Sequence, residues 1–209
     1  MKKRFSKSLF HRLINRPFVL HMGQNLVGAN KLKSRLYPPM IKKSGNLLDF
    51  GCSYGNSTPY FLDYDYYGLD IDDKMIEKAR QQFKSYPNIK FFTHNVLDGE
   101  FKRDFFDNIL FASSSHHIAD QDLKAIFDAL IVNLKPGGEL HFFDIIKQPK
   151  DKLITRLLTR YDQGKNIRTL DEYKKFFKDK NYQIAEKRIF KSPKAMIQLW
   201  DFLYIKITK

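Results

Sequence analysis

Five polar clusters, each at the end of an apolar run, carry the groups able to do chemistry in this chain. The first is "NLLDFGCSYGNST", residues 46–58, where Asp49 precedes Gly51 and, four residues on, Gly55. Glycines at that spacing permit tight bends and let a ligand approach the main chain without meeting a Cβ. Asp49 can accept hydrogen bonds from a cationic ligand or from the loop's own amides. A helix is expected to begin near Asn56, and its unpaired N–H groups would favour a carboxylate or phosphate. The second cluster, "YYGLDIDD", puts Asp70 at a strand end, where one carboxylate can accept two bonds from neighbouring ribose hydroxyls. In the third, "FFTHNVLD", Asn95 offers an acceptor to an adenine amine and the Val96 N–H a donor to a ring nitrogen. The fourth, "FASSSHHIAD", brings Ser113, His116 and His117 to the floor of the same cleft, and the fifth ends a strand on Asp144.

The glycine spacing discriminates between nucleotides. A dinucleotide site wants G-x-G-x-x-G, but residues 51–56 read Gly-Cys-Ser-Tyr-Gly-Asn. A phosphate-binding P-loop needs a Lys after its last glycine, and Gly55 is followed by Asn56. Two carboxylates, Asp49 and Asp70, around the ligand suit a molecule with a positive centre and no phosphates. S-adenosylmethionine, with its sulfonium, ammonium, carboxylate, ribose and adenine, meets that description. The candidate cradle comprises Asp49, Gly51, Cys52, Ser53, Gly55, Asp70, Ile71, Asn95, Val96 and Ser113.

These groups need a scaffold that delivers them to one edge. Apolar runs at Leu47–Phe50, Tyr66–Ile71, Ile89–Thr93, Asn108–Ala112 and Leu140–Ile146 alternate with three- and four-residue apolar spacing over Met75–Phe83 and Leu123–Leu134. Asp73 and Asp120 are placed as helix N-caps, and "LKPGGEL" reads as a helix exit. Strand–helix alternation implies right-handed crossovers and a mostly parallel sheet, with ligands beyond its carboxyl ends. Further helices are expected around Lys152–Arg160 and Leu170–Asp179, then an antiparallel pair, Gln183–Phe190 and Ile197–Ile207.

The 209 residues, 43% hydrophobic and 15% aromatic, suffice for one sizeable α/β domain. The single cysteine excludes an intrachain disulfide, fits a reducing, cytoplasmic compartment and argues against structural zinc. Charge is uneven: residues 1–45 carry 11 basic and no acidic side chains, 46–145 carry 9 and 16, and 146–209 carry 17 and 7. Basic ends of this kind attract an anionic substrate, a membrane surface or nucleic acid. Phe5, Leu9, Phe10, Leu13 and Ile14 share one helical face before Pro17, as a packing helix, a lid or a membrane-surface helix would. Lys7, His11, Arg12 and Arg16 interrupt any secretory apolar core, and no run approaches the length of a membrane span. Residues 1–43 are read as a helical extension and 44–209 as the domain.

The motifs "NLLDFGCSYGNST", "YYGLDIDDKMIEKAR", "NIKFFTHNVLD", "FFDNILFASSSHHIAD" and "LKPGGELHFFD" occur in the order and spacing of class I S-adenosylmethionine-dependent methyltransferases, which this chain resembles closely over about residues 44–146. The resemblance implies a Rossmann-like seven-stranded α/β sheet, mostly parallel with the last strand antiparallel and helices on both faces. It places Gly51 and Gly55 at the methionine part of the cofactor, Asp70 at ribose, and Asn95 and Val96 at adenine. Two residues depart from the family pattern: Ser53 stands where Gly is usual, and Asn95 where Asp is usual. His116 and His117 stand where the family often has a His pair; either suits a general base with an ordinary pKa near ~6.5, and His117 is preferred. Asp144 also reaches toward the acceptor. Tyr161, Arg168 and Tyr173 lie where related enzymes build the acceptor pocket, and Arg168 suits a carboxylate or phosphate. Tyr37 and Arg35 are placed at the cofactor entrance. The expectation is methyl transfer, with S-adenosylhomocysteine as by-product and no metal, to oxygen or nitrogen of a small or medium acceptor. An RNA, protein, lipid or quinone acceptor is the alternative.

Overall fold

Short runs rich in Leu, Ile, Phe and Tyr, bounded by Gly and Asp, become strands buried on both faces, the signature of a parallel sheet covered by helices. The computed structural model describes residues 29–41, 44–147, 166–179, 182–191 and 201–209. The expected helices at 5–14 and 152–160, and Tyr161, lie outside these residues. The strands are β1 (Asn46–Phe50), β2 (Asp65–Asp70), β3 (Ile89–Thr93), β4 (Phe106–Ala112), β5 (Leu134–Ile146), β6 (Ile184–Lys191) and β7 (Asp201–Thr208). They form one sheet in the order β3-β2-β1-β4-β5-β7-β6. The pairs from β3 through β5 are parallel, and β7 is antiparallel to both β5 and β6. Chain order reverses between β1 and β4, so the loops after these strands part and leave a crevice.

Helices cover both faces. Helix α1 (Ala29–Met40) and α2 (Asp73–Gln82) pack Tyr37, Ile41, Ile76 and Ala79 against Leu47, Tyr66 and Leu110. On the other face α3 (Asp120–Asn133) and α4 (Leu170–Asp179) pack Phe127, Leu130, Tyr173 and Phe177 against Leu48, Phe111 and Phe142. Neighbours along a strand divide between the two layers: Tyr66 faces one and Tyr67 the other.

Local details depart from expectation. The N-cap of α2 is Asp72, whose carboxylate accepts from the Lys74 and Met75 amides at 2.9 and 3.2 Å; Asp73 is the first helical residue. Ala119 rather than Asp120 caps α3. That helix ends at Asn133, before Pro136, and β5 starts directly at Leu134. No α-helix begins at Asn56. Residues 51–64 make only a three-residue 3₁₀ turn, Thr58–Tyr60, with Pro59 inside it, so this loop has no helix dipole to offer a ligand. Helix α1 packs there instead, with Tyr37 stacked on Phe61 at 6.0 Å between ring centroids and edge-on to Tyr60.

Candidate active site

The loop after β1 is held to the end of β2. The Gly51 and Cys52 amides both donate to the Leu69 carbonyl, at 2.8 and 3.1 Å. Asp70 Oδ2 accepts from the Ser53 N–H at 2.8 Å and Oδ1 from the Asp72 N–H at 3.0 Å. One carboxylate thus joins the two loops that the sequence places around a nucleoside. Beside it Ile71 is 74% exposed and offers apolar surface at the crevice edge.

Backbone strain concentrates here. Gly51 and Gly55 have φ of +72° and +86°. A Cβ on Gly51 would lie 2.8 Å from Ser114 Oγ, and one on Gly55 would lie 2.6 Å from the Phe83 ring. Gly51 therefore faces the crevice floor, whereas Gly55 is required by packing against α2. Ser53 (φ +52°) and Ser113 (φ +54°) take the same left-handed conformation without glycine's freedom. Ser53→Gly is expected to raise Tm by about 1–4 °C, relief of local strain outweighing the extra entropy of the unfolded chain. Thermal unfolding checks this, and an unchanged or lower Tm would show the loop to be unstrained.

Asp49, buried at the centre of the sheet edge, accepts a hydrogen bond from the Tyr66 hydroxyl on Oδ2 at 2.5 Å. Burial pushes its pKa up to about 7, against the opposing effects of Tyr66 and of the Lys33 ammonium; nearby Asp70 pushes it higher. Lys33, from α1, is itself buried, and desolvation lowers its pKa while Asp49 pulls the other way. Tyr37 is not an entrance residue: it is a core side chain, its ring 4.9 Å from that of Phe143, and burial and then Asp49 raise its pKa. Arg35, two residues earlier on α1, is exposed. Cys52 points into the core beneath Gly68, and burial pushes its thiol pKa up. Asn95 Oδ1 accepts from the Leu97 amide and its Nδ2 donates to Asp98, each at 3.1 Å, so its side chain shapes its own turn. Val96 is buried below it.

The second half of the site hangs on Asp144. This carboxylate, fully buried at the end of β5, accepts the Ser115 hydroxyl and, at 3.1 Å, the His116 N–H on Oδ2. Its Oδ1 meets His116 Nδ1 at 2.7 Å and the Ile145 N–H at 2.7 Å. Burial alone would raise its pKa; His116, Ser115 and the Ile145 amide together hold it below the ordinary carboxylate range. The Tyr173 hydroxyl shares Ser115 Oγ at 2.8 Å. His116 is buried with this carboxylate, whereas His117 is exposed and stacks beside it, 4.2 Å between ring centroids. Of the two histidines, the geometry thus makes His116 the one oriented by an acid.

Arg168 is neither a surface residue nor open to an acceptor. Its Nε donates to Asp120 at 2.7 Å, Nη1 to the Ser115 and Asn166 carbonyls at 3.0 and 3.1 Å, and Nη2 to the Ile118 carbonyl at 2.7 Å and to Asp120 at 2.6 Å. These contacts account for all five guanidinium protons, which clamp the 3₁₀ turn Ser115–His117 from the far side. Sequence reasoning missed this role because the partners are main-chain carbonyls about 50 residues away. It missed Lys33 and Ser114 as well: a lysine in a basic segment carries no local sign of burial. Ser114 Oγ is buried and has no hydrogen-bond partner among the described residues.

A parallel sheet with an antiparallel β7, a glycine-bent β1 loop and an acid at the end of β2 defines the class I methyltransferase fold. Residues 47–138 match the family model described as "Methyltransferase domain". The matched span is a little under half of the chain, and it is similar to methyltransferase domains. Among curated proteins it is 27% identical over 125 residues to a carboxy-S-adenosyl-L-methionine synthase of Helicobacter pylori, covering 55% of this chain and 49% of that protein. It is 26% identical over 154 residues to phosphoethanolamine N-methyltransferase 3 of Arabidopsis thaliana, covering 71% of this chain and 31% of that one. The chain thus spans about half the length, or less, of these curated relatives. Among solved structures, an S-adenosylmethionine-dependent methyltransferase of Leishmania major superposes with a TM-score of 0.71 at 17% identity, over 91% of this chain and 76% of that one.

Proposed function

We propose that this protein transfers a methyl group from S-adenosylmethionine to an oxygen or nitrogen of a small or medium-sized acceptor, with His116 as the proton-accepting group. The observation that carries this reading is the His116 Nδ1–Asp144 contact of 2.7 Å, on the β4 loop whose Ser114 packs against Gly51 of the β1 loop. The residues present fit the donor. Ser114 Oγ packs against Gly51, where a Cβ would collide, and it leaves at the β1 loop a buried polar atom that no described residue satisfies. Asp70 would hold the ribose, Ile71 and the Val96 amide the base, and Asp49 the positive end. Bound there, the donor supplies an electrophilic methyl carbon on a positively charged sulfur. His116, with Nδ1 turned to Asp144, would take the acceptor's proton through Nε2. The buried Asp144 charge stabilises the imidazolium so formed.

An acceptor anion has no support from Arg168, whose protons are all engaged. Among the described residues no helix is long and apolar enough to cross a membrane. The reading is tested by incubating the purified chain with labelled donor and a metabolite extract: label should pass to a small molecule. Transfer only to RNA or protein, or none at all, would overturn it.

The raised pKa of Asp49 makes donor affinity depend on pH. A folded pKa of about 7 lies above the unfolded carboxylate value, so the apoprotein holds this proton until pH passes about 7. A cationic ligand beside Asp49 favours the ionised form and must displace the proton below that pH. Affinity for S-adenosylmethionine is therefore expected to fall by up to about tenfold per pH unit below 7, with proton release, and to level off above it. Calorimetry in buffers of different ionisation enthalpy reads both. A pH-independent affinity between 5.5 and 8 would remove Asp49 from the donor site.

A further inference from the structure

We propose that Ser115 and Tyr173 are positioning residues for the reaction: they form a hydrogen-bonded relay into Asp144 that fixes this carboxylate against His116 and sets how readily the imidazole takes a proton. The inference rests on the proton-accepting role of His116 proposed above and deepens it. The direction of each bond follows from counting protons. Asp144 is ionised and can only accept. Its contact with His116 Nδ1 at 2.7 Å is then an N–H donating to Oδ1, which leaves the ring's lone pair on Nε2. Ser115 has one hydroxyl proton, and it goes to Asp144 Oδ2. The bond of 2.8 Å between Ser115 Oγ and the Tyr173 hydroxyl must therefore carry the tyrosine's proton. Burial raises the Tyr173 pKa, so that proton is retained. With the His116 and Ile145 amides added, each oxygen of Asp144 accepts two bonds. A carboxylate engaged in this way on both oxygens cannot turn its plane away from the ring.

Packing alone does not call for these hydroxyls. Ser115 and Tyr173 are both fully buried. The Tyr173 ring lies in an apolar layer, 5.4 Å from Phe142 and 6.4 Å from Phe177 between centroids, where phenylalanine would fill the same space. Burying two hydroxyls beside a carboxylate is costly unless each is bonded, and here each bond leads on toward the imidazole. Other charged or titratable groups face the network. His117 stacks beside the ring, Arg168 stands 5.9 Å from the Tyr173 ring centroid and pairs with Asp120, and Tyr37 of α1 lies in the field of Asp144. Arg168, Asp120 and Tyr37 are common to the protein and to the variants below, so a change in the His116 titration reads the relay.

Ser115→Ala and Tyr173→Phe each remove one hydroxyl and change little volume. Loss of a donor leaves the Asp144 charge less satisfied, so it holds the imidazolium more strongly. The His116 titration should therefore move up, by about 0.5–1 pH unit in Ser115→Ala and by about half as much in Tyr173→Phe. NMR of the imidazole nitrogens reads this in the unliganded protein, with His117→Ala used to assign the His116 signal. Tyr173→Phe keeps the test decisive should Ser115→Ala fail to fold. Transfer of label from saturating S-adenosylmethionine into a metabolite extract, followed against pH, is the second readout. Its acid limb should rise with the His116 titration, and the rate above that limb should fall about 10-fold in Ser115→Ala with the donor KM within about 3-fold. The proposal is overturned if His116 titrates as in wild type in both variants, even where the rate falls, because lost packing alone would do that. A His116 titration that moves while the rate profile stays in place would instead overturn the proton-accepting role of His116, so the two failures are distinguishable.

Discussion

His116→Ala is expected to lower turnover by about 10²–10⁴-fold while leaving donor affinity within a few-fold. The ring stands on a carboxylate that is buried yet ionised, because the Ser115 hydroxyl, the His116 and Ile145 amides and the imidazole itself surround it. Such an acid fixes the tautomer of its partner and stabilises the imidazolium after proton transfer. Asp144→Asn should therefore reproduce most of the loss: an amide retains much of the shape and withdraws the charge. His117→Ala, at the exposed neighbour, should cost far less. Single-turnover rates with saturating donor separate the effect from binding. If His116→Ala kept the wild-type rate at all pH values, the dyad would be a pillar of the β4–β5 corner and the acceptor would need no base.

Asp70→Ala is expected to weaken donor binding by about 2–4 kcal/mol, or roughly 30–1000-fold. Two losses combine. The carboxylate is the anticipated acceptor of two ribose hydroxyls, and it already ties Ser53 N of the β1 loop to Asp72 N of the β2 loop. Without it Ser53 would sit in the left-handed region with its amide unanchored, and the β1 loop would lose its fixed geometry. Asp70→Asn should fall between, since an amide oxygen keeps one acceptor and no charge. Calorimetric affinity for S-adenosylhomocysteine is the measurement, with Tm of the unliganded variant as a control for folding. Unchanged affinity in a folded variant would put the ribose elsewhere.

The residues at the strand ends were legible early because strand ends in a parallel sheet announce themselves locally. A short apolar run followed by Gly or Asp marks both the strand and the edge to which its loop belongs. Five such runs place Asp49, Asp70, Asn95, His116 and Asp144 on one rim whatever the details of packing. Periodicity likewise marked α2, α3 and α4, and the antiparallel end of the sheet followed from two extended runs after the last helix. Those conclusions use only near neighbours in the chain, which is why the sequence by itself could determine them.

What tertiary structure decided are the matters in which distant segments compete for one place. Helix α1 carries Pro38 and Pro39 in its last turn, and its inner stripe is buried by the sheet. The loop after β1 was expected to open a helix; Pro59 and the packing of Tyr37 against Phe61 leave it a single 3₁₀ turn. Two adjacent histidines are indistinguishable in sequence, and only the fold of Ser115–His117 turns one to Asp144 and the other to solvent. Arg168, with the right chemistry for an anion, is instead captured by carbonyls that β4 and α3 bring beneath it, because a buried turn must find donors for its carbonyl groups. Spacing along the chain specifies which groups reach the crevice rim; burial, which sums contributions from every element, settles which of them remain available for chemistry once they arrive.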